Sequence, residues 1–110
     1  VPWLLRDDEV LATLEVADDR RSRRKGLLGR DGYDGVLLLR PARSVHTLGM
    51  RFAIDVAFCD DDLRVLRVTT MPRHRIGRPC VKAACCLEAE AGTFAHWELR
   101  PGDQLEIRES

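Results

Sequence analysis

His46, Thr47, Arg51 and Asp55 bring an imidazole, a hydroxyl, a guanidinium and a carboxylate into one short stretch of the chain. Such a set could line a polar ligand pocket. Arg51 would clamp an anion or carboxylate, His46 would donate a hydrogen bond or carry a proton, and Asp55 would orient one of them. In a fully extended backbone Thr47, Arg51 and Asp55 share one face, and His46 lies on the other with Leu48, Met50 and Phe52. Four residues of strand set Arg51 and Asp55 about 13 Å apart, too far for an ion pair within that strand. Gly49 interrupts the alternation, which leaves the directions of His46 and Thr47 open. The competing structural account has Asp55 capping a turn or pairing with an arginine of a helix, and His46 hydrogen-bonded at the core edge. It is the stronger account, because buried polar groups must be paired whether or not they serve a ligand.

Thiol chemistry has one candidate. Cys80 is flanked by Arg78 and Lys82, cations that would hold it as a thiolate if they were neighbours in space. Cys59, Cys85 and Cys86 complete the cysteine set. Neither Cys-x-x-Cys nor closely spaced histidines occur, since His46, His74 and His96 are far apart, so no metal or other cofactor is expected. Adjacent Cys85 and Cys86 would point to opposite faces of a strand. Buried, reduced thiols are the expectation.

Two segments are rich in base. Arg20, Arg21, Arg23, Arg24 and Lys25 form the densest run, and Arg73, Arg75 and Arg78 a second. Arg24, Arg73 and Arg75 are the candidates for phosphate contact, within basic segments 20–30 and 73–82. Lysine plus arginine and aspartate plus glutamate nonetheless balance at 18 each, and aromatics to stack on bases are few. That favours a solvated helix face over a nucleic-acid surface. No Gly-x-Gly-x-x-Gly or Walker-type run is present.

The elements that must position these groups follow from periodicity. Val10 to Ala17 alternates as a strand. Asp18 and Asp19 cap a short helix with an acidic first turn and a basic later one, limited by Gly26 and Gly29. Val36 to Leu39 is an apolar run of strand length that ends before Pro41. The clearest strand sets Phe52, Ile54, Val56 and Phe58 on one face and Ala53, Asp55, Ala57 and Cys59 on the other. Asp60 to Asp62 turns the chain into a partner strand from Leu63 to Met71. Arg64 and Arg67 there have opposite parity, which requires a β-bulge near Val65. A loop over 72–79 leads to a strand from about Lys82 to Ala91, with Cys85, Leu87 and Ala89 on one face and Cys86, Glu88 and Glu90 on the other. A helical turn from Gly92 to Trp97 and a last strand at Leu105 and Ile107 complete the chain. The fold class is α+β, mainly β: one domain over 1–110, a curled antiparallel sheet or small barrel-like fold with two short helices.

Three segments in this order carry a likeness. They are Arg24-Lys25-Gly26-Leu27-Leu28-Gly29-Arg30, then His46-Thr47-Leu48-Gly49-Met50-Arg51-Phe52-Ala53-Ile54-Asp55-Val56-Ala57-Phe58, then Ala91-Gly92-Thr93 leading to Gly102-Asp103. Together they resemble the family called domain of unknown function 192, over nearly the whole chain from about Leu14, the middle segment being the specific one. The resemblance implies a compact β-rich fold with short helices. It implies no function, because the family is uncharacterised, and no catalytic residue is carried over. Members resemble one another in an aromatic-Met-Lys-Asn-Thr stretch where this chain has His46-Thr47-Leu48-Gly49-Met50, so a site lined by that stretch would have different chemistry here.

Three functional expectations result. The first is a non-catalytic binding or accessory module whose cleft near His46, Thr47, Arg51 and Asp55 takes a small anionic ligand or a peptide. The second is a small hydrolytic or thiol-based enzyme using His46 with Asp55 or Cys80. The third is nucleic-acid contact through the two basic segments. No apolar run has the length of a membrane span and no signal-peptide pattern is visible, so a soluble, cytoplasmic protein is expected, with an N-terminus that could have been trimmed ahead of Val1.

Overall fold

Nine elements are arranged along the computed structural model, which describes residues 1–109. They are β1 (Pro2–Arg6), β2 (Glu9–Ala17), α1 (Arg20–Lys25), β3 (Val36–Leu39), β4 (Ile54–Cys59), β5 (Val65–Met71), β6 (Cys85–Glu90), α2 (Thr93–His96) and β7 (Glu106–Glu109). The strands form one sheet in the order β5-β4-β6-β3-β2-β1-β7. Every neighbouring pair is antiparallel except β2 and β3, which run parallel. The sheet is thus mainly antiparallel, as expected, with one parallel pair. Parallel neighbours need a crossover connection, and α1 with the segment after it supplies one.

The sheet curls until its two edges touch, yet it does not close. The start of β5 meets the segment ahead of β7: Val65 N–H donates to Asp103 O, Gly102 N–H to Val65 O and Leu105 N–H to Leu63 O. Beyond these bonds and an isolated bridge between Arg64 and Gln104, no ladder joins β5 to β7 among the described residues.

Alternation on the three central strands builds two cores, one on each face. Val36 and Leu38, Ala57 and Cys59, and Cys85, Leu87 and Ala89 face a core shared with Leu4, Leu63 and Leu105 from both edges, so this core lies inside the curl. Leu37 and Leu39, Ile54, Val56 and Phe58, and Cys86 face a second core. Leu27, Val45, Met50, Cys80 and Ala83, from segments outside the strands, cover it. Burial on both faces explains why β3 reads as an unbroken apolar run.

The required bulge is present. Phe58 pairs with Arg67 and Cys59 with Val65, which leaves Leu66 as the extra residue. The sequence reading had no counterpart for β1. There Leu4 and Leu5 are both buried, with a register shift between them, and the alternation that signals a strand is lost. In α1 the acid sits in the cap and not in the first turn: Asp19 Oδ1 accepts from Ser22 N–H at 2.7 Å, and the first turn holds no carboxylate.

Candidate functional site

β6 carries the least expected group of the molecule. Glu88 pairs with Leu37 of β3 on one side and Val56 of β4 on the other, in the middle of the sheet. Its parity aims it, with Cys86, at the face of the second core. The residue is only 4% exposed. The Glu88 side chain makes no hydrogen bond or ion pair among the described residues. Every fully sealed side-chain nitrogen or oxygen among those residues has a partner, so the unpartnered Glu88 oxygens must open onto free space. Burial alone pushes its carboxyl up to about 7.

That free space is a pocket of about 400 Å³ between α1 and the segments around 44–50 and 76–79. Leu27, Leu39, Val45 and Met50 wall it, and the exposed Leu28, Leu48 and Ile76 stand at its mouth. Arg23, Arg24 and Lys25 of the last turn of α1 border it with His46. Arg23 is tied down, donating from Nη1 to Asp18 O at 2.8 Å and to Arg40 O at 3.3 Å. Arg24 and Lys25 are exposed and carry neither a side-chain hydrogen bond nor an ion pair among the described residues. Basic residues at a helix C-terminus suit its negative end, which accounts locally for their placement.

Gly26 closes α1 at φ +49°, a conformation suited to glycine. It also makes room for Glu88. A side-chain carbon at position 26 would stand 3.3 Å from Glu88 Oε1 and 3.9 Å from Arg23 O. Glu88 Oε1 and the Arg23 carbonyl therefore both lie close to Gly26.

Thr47 fastens the opposite wall. It is fully buried; its hydroxyl donates to Pro72 O at 2.6 Å and accepts from Arg75 N–H at 2.9 Å. Backbone bonds from Thr47 N–H to Arg75 O, His74 N–H to Thr47 O and Gly77 N–H to Val45 O zip the two segments into a ribbon. Gly77 is needed there, since an added side-chain carbon would meet Val45 O at 2.8 Å. His46 Nδ1 accepts from Leu48 N–H and His74 Nδ1 from Gly49 N–H, both at 3.3 Å.

The four residues read from the sequence as one site divide. His46 lines the pocket and Thr47 holds its wall. Arg51 pairs with Asp31 at 2.9 Å, both well exposed, a contact of little energetic weight. Asp55 caps a turn, as the structural account had it. Its Oδ2 accepts from Gly92 N–H at 2.9 Å and Phe94 N–H at 3.0 Å, and its Oδ1 from Thr70 Oγ1 at 2.6 Å. Both carboxylate oxygens are thus engaged, Oδ2 at the start of α2 and Oδ1 on β5, and neither is bonded to His46. Of the basic candidates, Arg24 borders the pocket, while Arg73 and Arg75 are exposed on the ribbon. Cys80 is buried in the second core, and all four cysteines are free thiols. No three His, Cys, Asp or Glu side chains among the described residues are grouped to hold a metal ion. No helix among them is long and apolar enough to cross a membrane.

Comparison with known proteins agrees with the fold. A crystal structure of a protein of unknown function from Novosphingobium aromaticivorans superimposes with a TM-score of 0.81 at 19% identity, covering 96% of this chain and 82% of that one. A candidate transcription regulator from Sinorhizobium meliloti superimposes with a TM-score of 0.78 at 24% identity, covering 96% and 91%. At such identities the likeness concerns the fold. No curated protein matches the sequence. The family of domain of unknown function 192 (DUF192), described as uncharacterized ACR, matches over residues 4–107, and the chain belongs to that family.

Proposed function

We propose that this chain is a binding module that seats a small ligand with an apolar body and an anionic end in the pocket beside α1. The observation that carries the reading is an apolar cavity that ends on a buried carboxyl with no side-chain partner among the described residues, bordered by Arg24 and Lys25, which make no side-chain hydrogen bond or ion pair among them. Largely apolar pockets with a few convergent polar groups are the usual form of small-molecule sites. Arg24 and Lys25 would receive the anion, with His46 beside them.

Binding of hexanoate and hexyl phosphate, followed by isothermal titration and amide NMR shifts, tests this. Both ligands are expected to perturb Leu27, Val45 and Leu48, and the double variant R24A/K25A to bind at least fivefold more weakly. Equal binding by that variant, or shifts confined to other surfaces, would remove the reading.

One observation favours a second reading, contact with a nucleic-acid backbone: α1 and, through Ile76, Gly77 and Pro79, the segment that carries Arg73, Arg75 and Arg78 border the same pocket. Here affinity should fall steeply with salt. A short single-stranded DNA whose weak binding is insensitive to salt between 50 and about 200 mM would dispose of it.

A further inference from the structure

We propose that the pocket selects a primary amine on an apolar stem, its ammonium group seated on Glu88 and its far, anionic end held by Arg24 and Lys25. The proposal rests on the pocket reading above and adds the identity of the inner group.

Three features of the site converge on it. First, Glu88 is 96% inaccessible yet has no partner, and its oxygens open into the cavity. A buried polar group left unmatched is costly, and a ligand donor that fills the vacancy recovers that free energy. Second, the vacancy is lined by acceptors. Ionised Glu88 offers acceptor oxygens alone, with Oε1 packed close to Gly26, and the Arg23 carbonyl lies at the same helix end. An ammonium brings three N–H donors and no acceptor, which matches such a lining; a carboxylate or phosphate brings none. Third, the charges of the pocket are separated. No basic side chain at its border is bonded to Glu88, and burial is the only influence on its carboxyl. Apolar residues such as Leu39, Val45 and Met50 line the space with these two ends. A zwitterion with an alkyl spacer reproduces that pattern of acid, apolar wall and base.

Seating the ammonium requires Glu88 as the carboxylate. Below about pH 7 the carboxyl holds its proton, and that proton must leave for water as the ion pair forms. Affinity for the amine should therefore weaken about tenfold per pH unit below 7. The charged and titratable groups on the side of Glu88 are Arg23, Arg24 and Lys25 from α1, His46 from the ribbon and Cys86 and Glu90 from its own strand, whereas β3 and β4 present Leu37 and Val56.

The test compares 6-aminohexanoate, hexylamine and hexanoate on the full chain and on E88Q, by isothermal titration from pH 5.5 to 8.5. Wild type should bind 6-aminohexanoate at least tenfold more tightly than hexanoate at pH 8 and lose that preference toward pH 5.5. E88Q keeps the side-chain shape and removes the ionisable group; it should bind both equally and without the pH trend. A wild-type protein with no amine preference, or an E88Q variant that retains it, would overturn the assignment. The pH profile of wild type decides the matter even if E88Q cannot be obtained folded. Hexanoate separates the two levels: its binding with no amine preference leaves the pocket reading standing, and its failure together with an unaffected R24A/K25A variant brings that reading down too.

Discussion

Glu88 replaces what would otherwise be an apolar side chain between Leu37 and Val56. Burial raises its carboxyl from an ordinary 4.5 to about 7, so the folded chain holds that proton more tightly than the unfolded chain does. The contribution to stability is therefore intact below about pH 4.5 and is lost as pH rises through 7. At about 1.4 kcal/mol per pKa unit the loss is on the order of 3 kcal/mol. E88Q should match wild type near pH 4.5 and exceed it by about 2–3 kcal/mol at pH 8. Guanidinium titrations at the two pH values check this, and parallel pH profiles for the two proteins would contradict it. Little of this was legible in the sequence. Cys86, Glu88 and Glu90 read as one face of a strand, but nothing in that spacing says that segments around 27, 45 and 50 fold over it.

Asp55 works one level up, where elements meet. It joins β5, through Thr70, to the entry of α2, and all three of its bonds are made at 2.6–3.0 Å from a residue only 2% exposed. D55A would leave the buried Phe94 N–H without its acceptor and free the more exposed Gly92 N–H and Thr70 hydroxyl to water, which should destabilise the chain by about 1–3 kcal/mol. Its effect on ligand binding at the α1 pocket should be small, since the carboxylate serves α2 and not that pocket. A denaturation midpoint unchanged in D55A would refute the assignment. The sequence placed Asp55 on the Ala57 and Cys59 face of its strand, and that is its place in the sheet. Parity along one strand, however, could not tell a polar ligand site from the end of a helix forty residues later, because that choice depends on which element packs above.

Across the whole molecule the sheet has cores on both faces, and the thiols are divided between them. Cys59 and Cys85, paired across β4 and β6, lie in the core inside the curl; Cys80 and Cys86 lie in the outer one. The contact between Cys59 and Cys85 holds the Cys59 thiol high, with burial adding to it, and draws Cys85 down, while burial raises Cys86. Labelling by iodoacetamide at pH 8 should follow structure in two steps. Cys80, 7% exposed on a segment outside the strands, should react first through local opening; the three strand cysteines should follow together at the rate of global unfolding. Fast modification of Cys59 or Cys85 in the native protein, read by mass spectrometry, would show that the inner core opens on its own.

Local pattern was enough to settle what each strand does. Alternation assigned the faces of β4 and β6 correctly, the clash of parity between Arg64 and Arg67 called for a bulge near Val65, which the structure has at Leu66, and Asp19 marked the start of α1. It did not reveal β1, where a register shift hides the period, nor the parallel pairing of β2 with β3, which no single strand encodes. The pocket belongs to the same class. Arg24, His46 and Glu88 are separated by dozens of residues, and only the curl of the sheet and the two segments folded across its outer face bring them around one cavity. Side-chain direction is a property of neighbours in the chain, whereas burial and partnership are properties of neighbours in space.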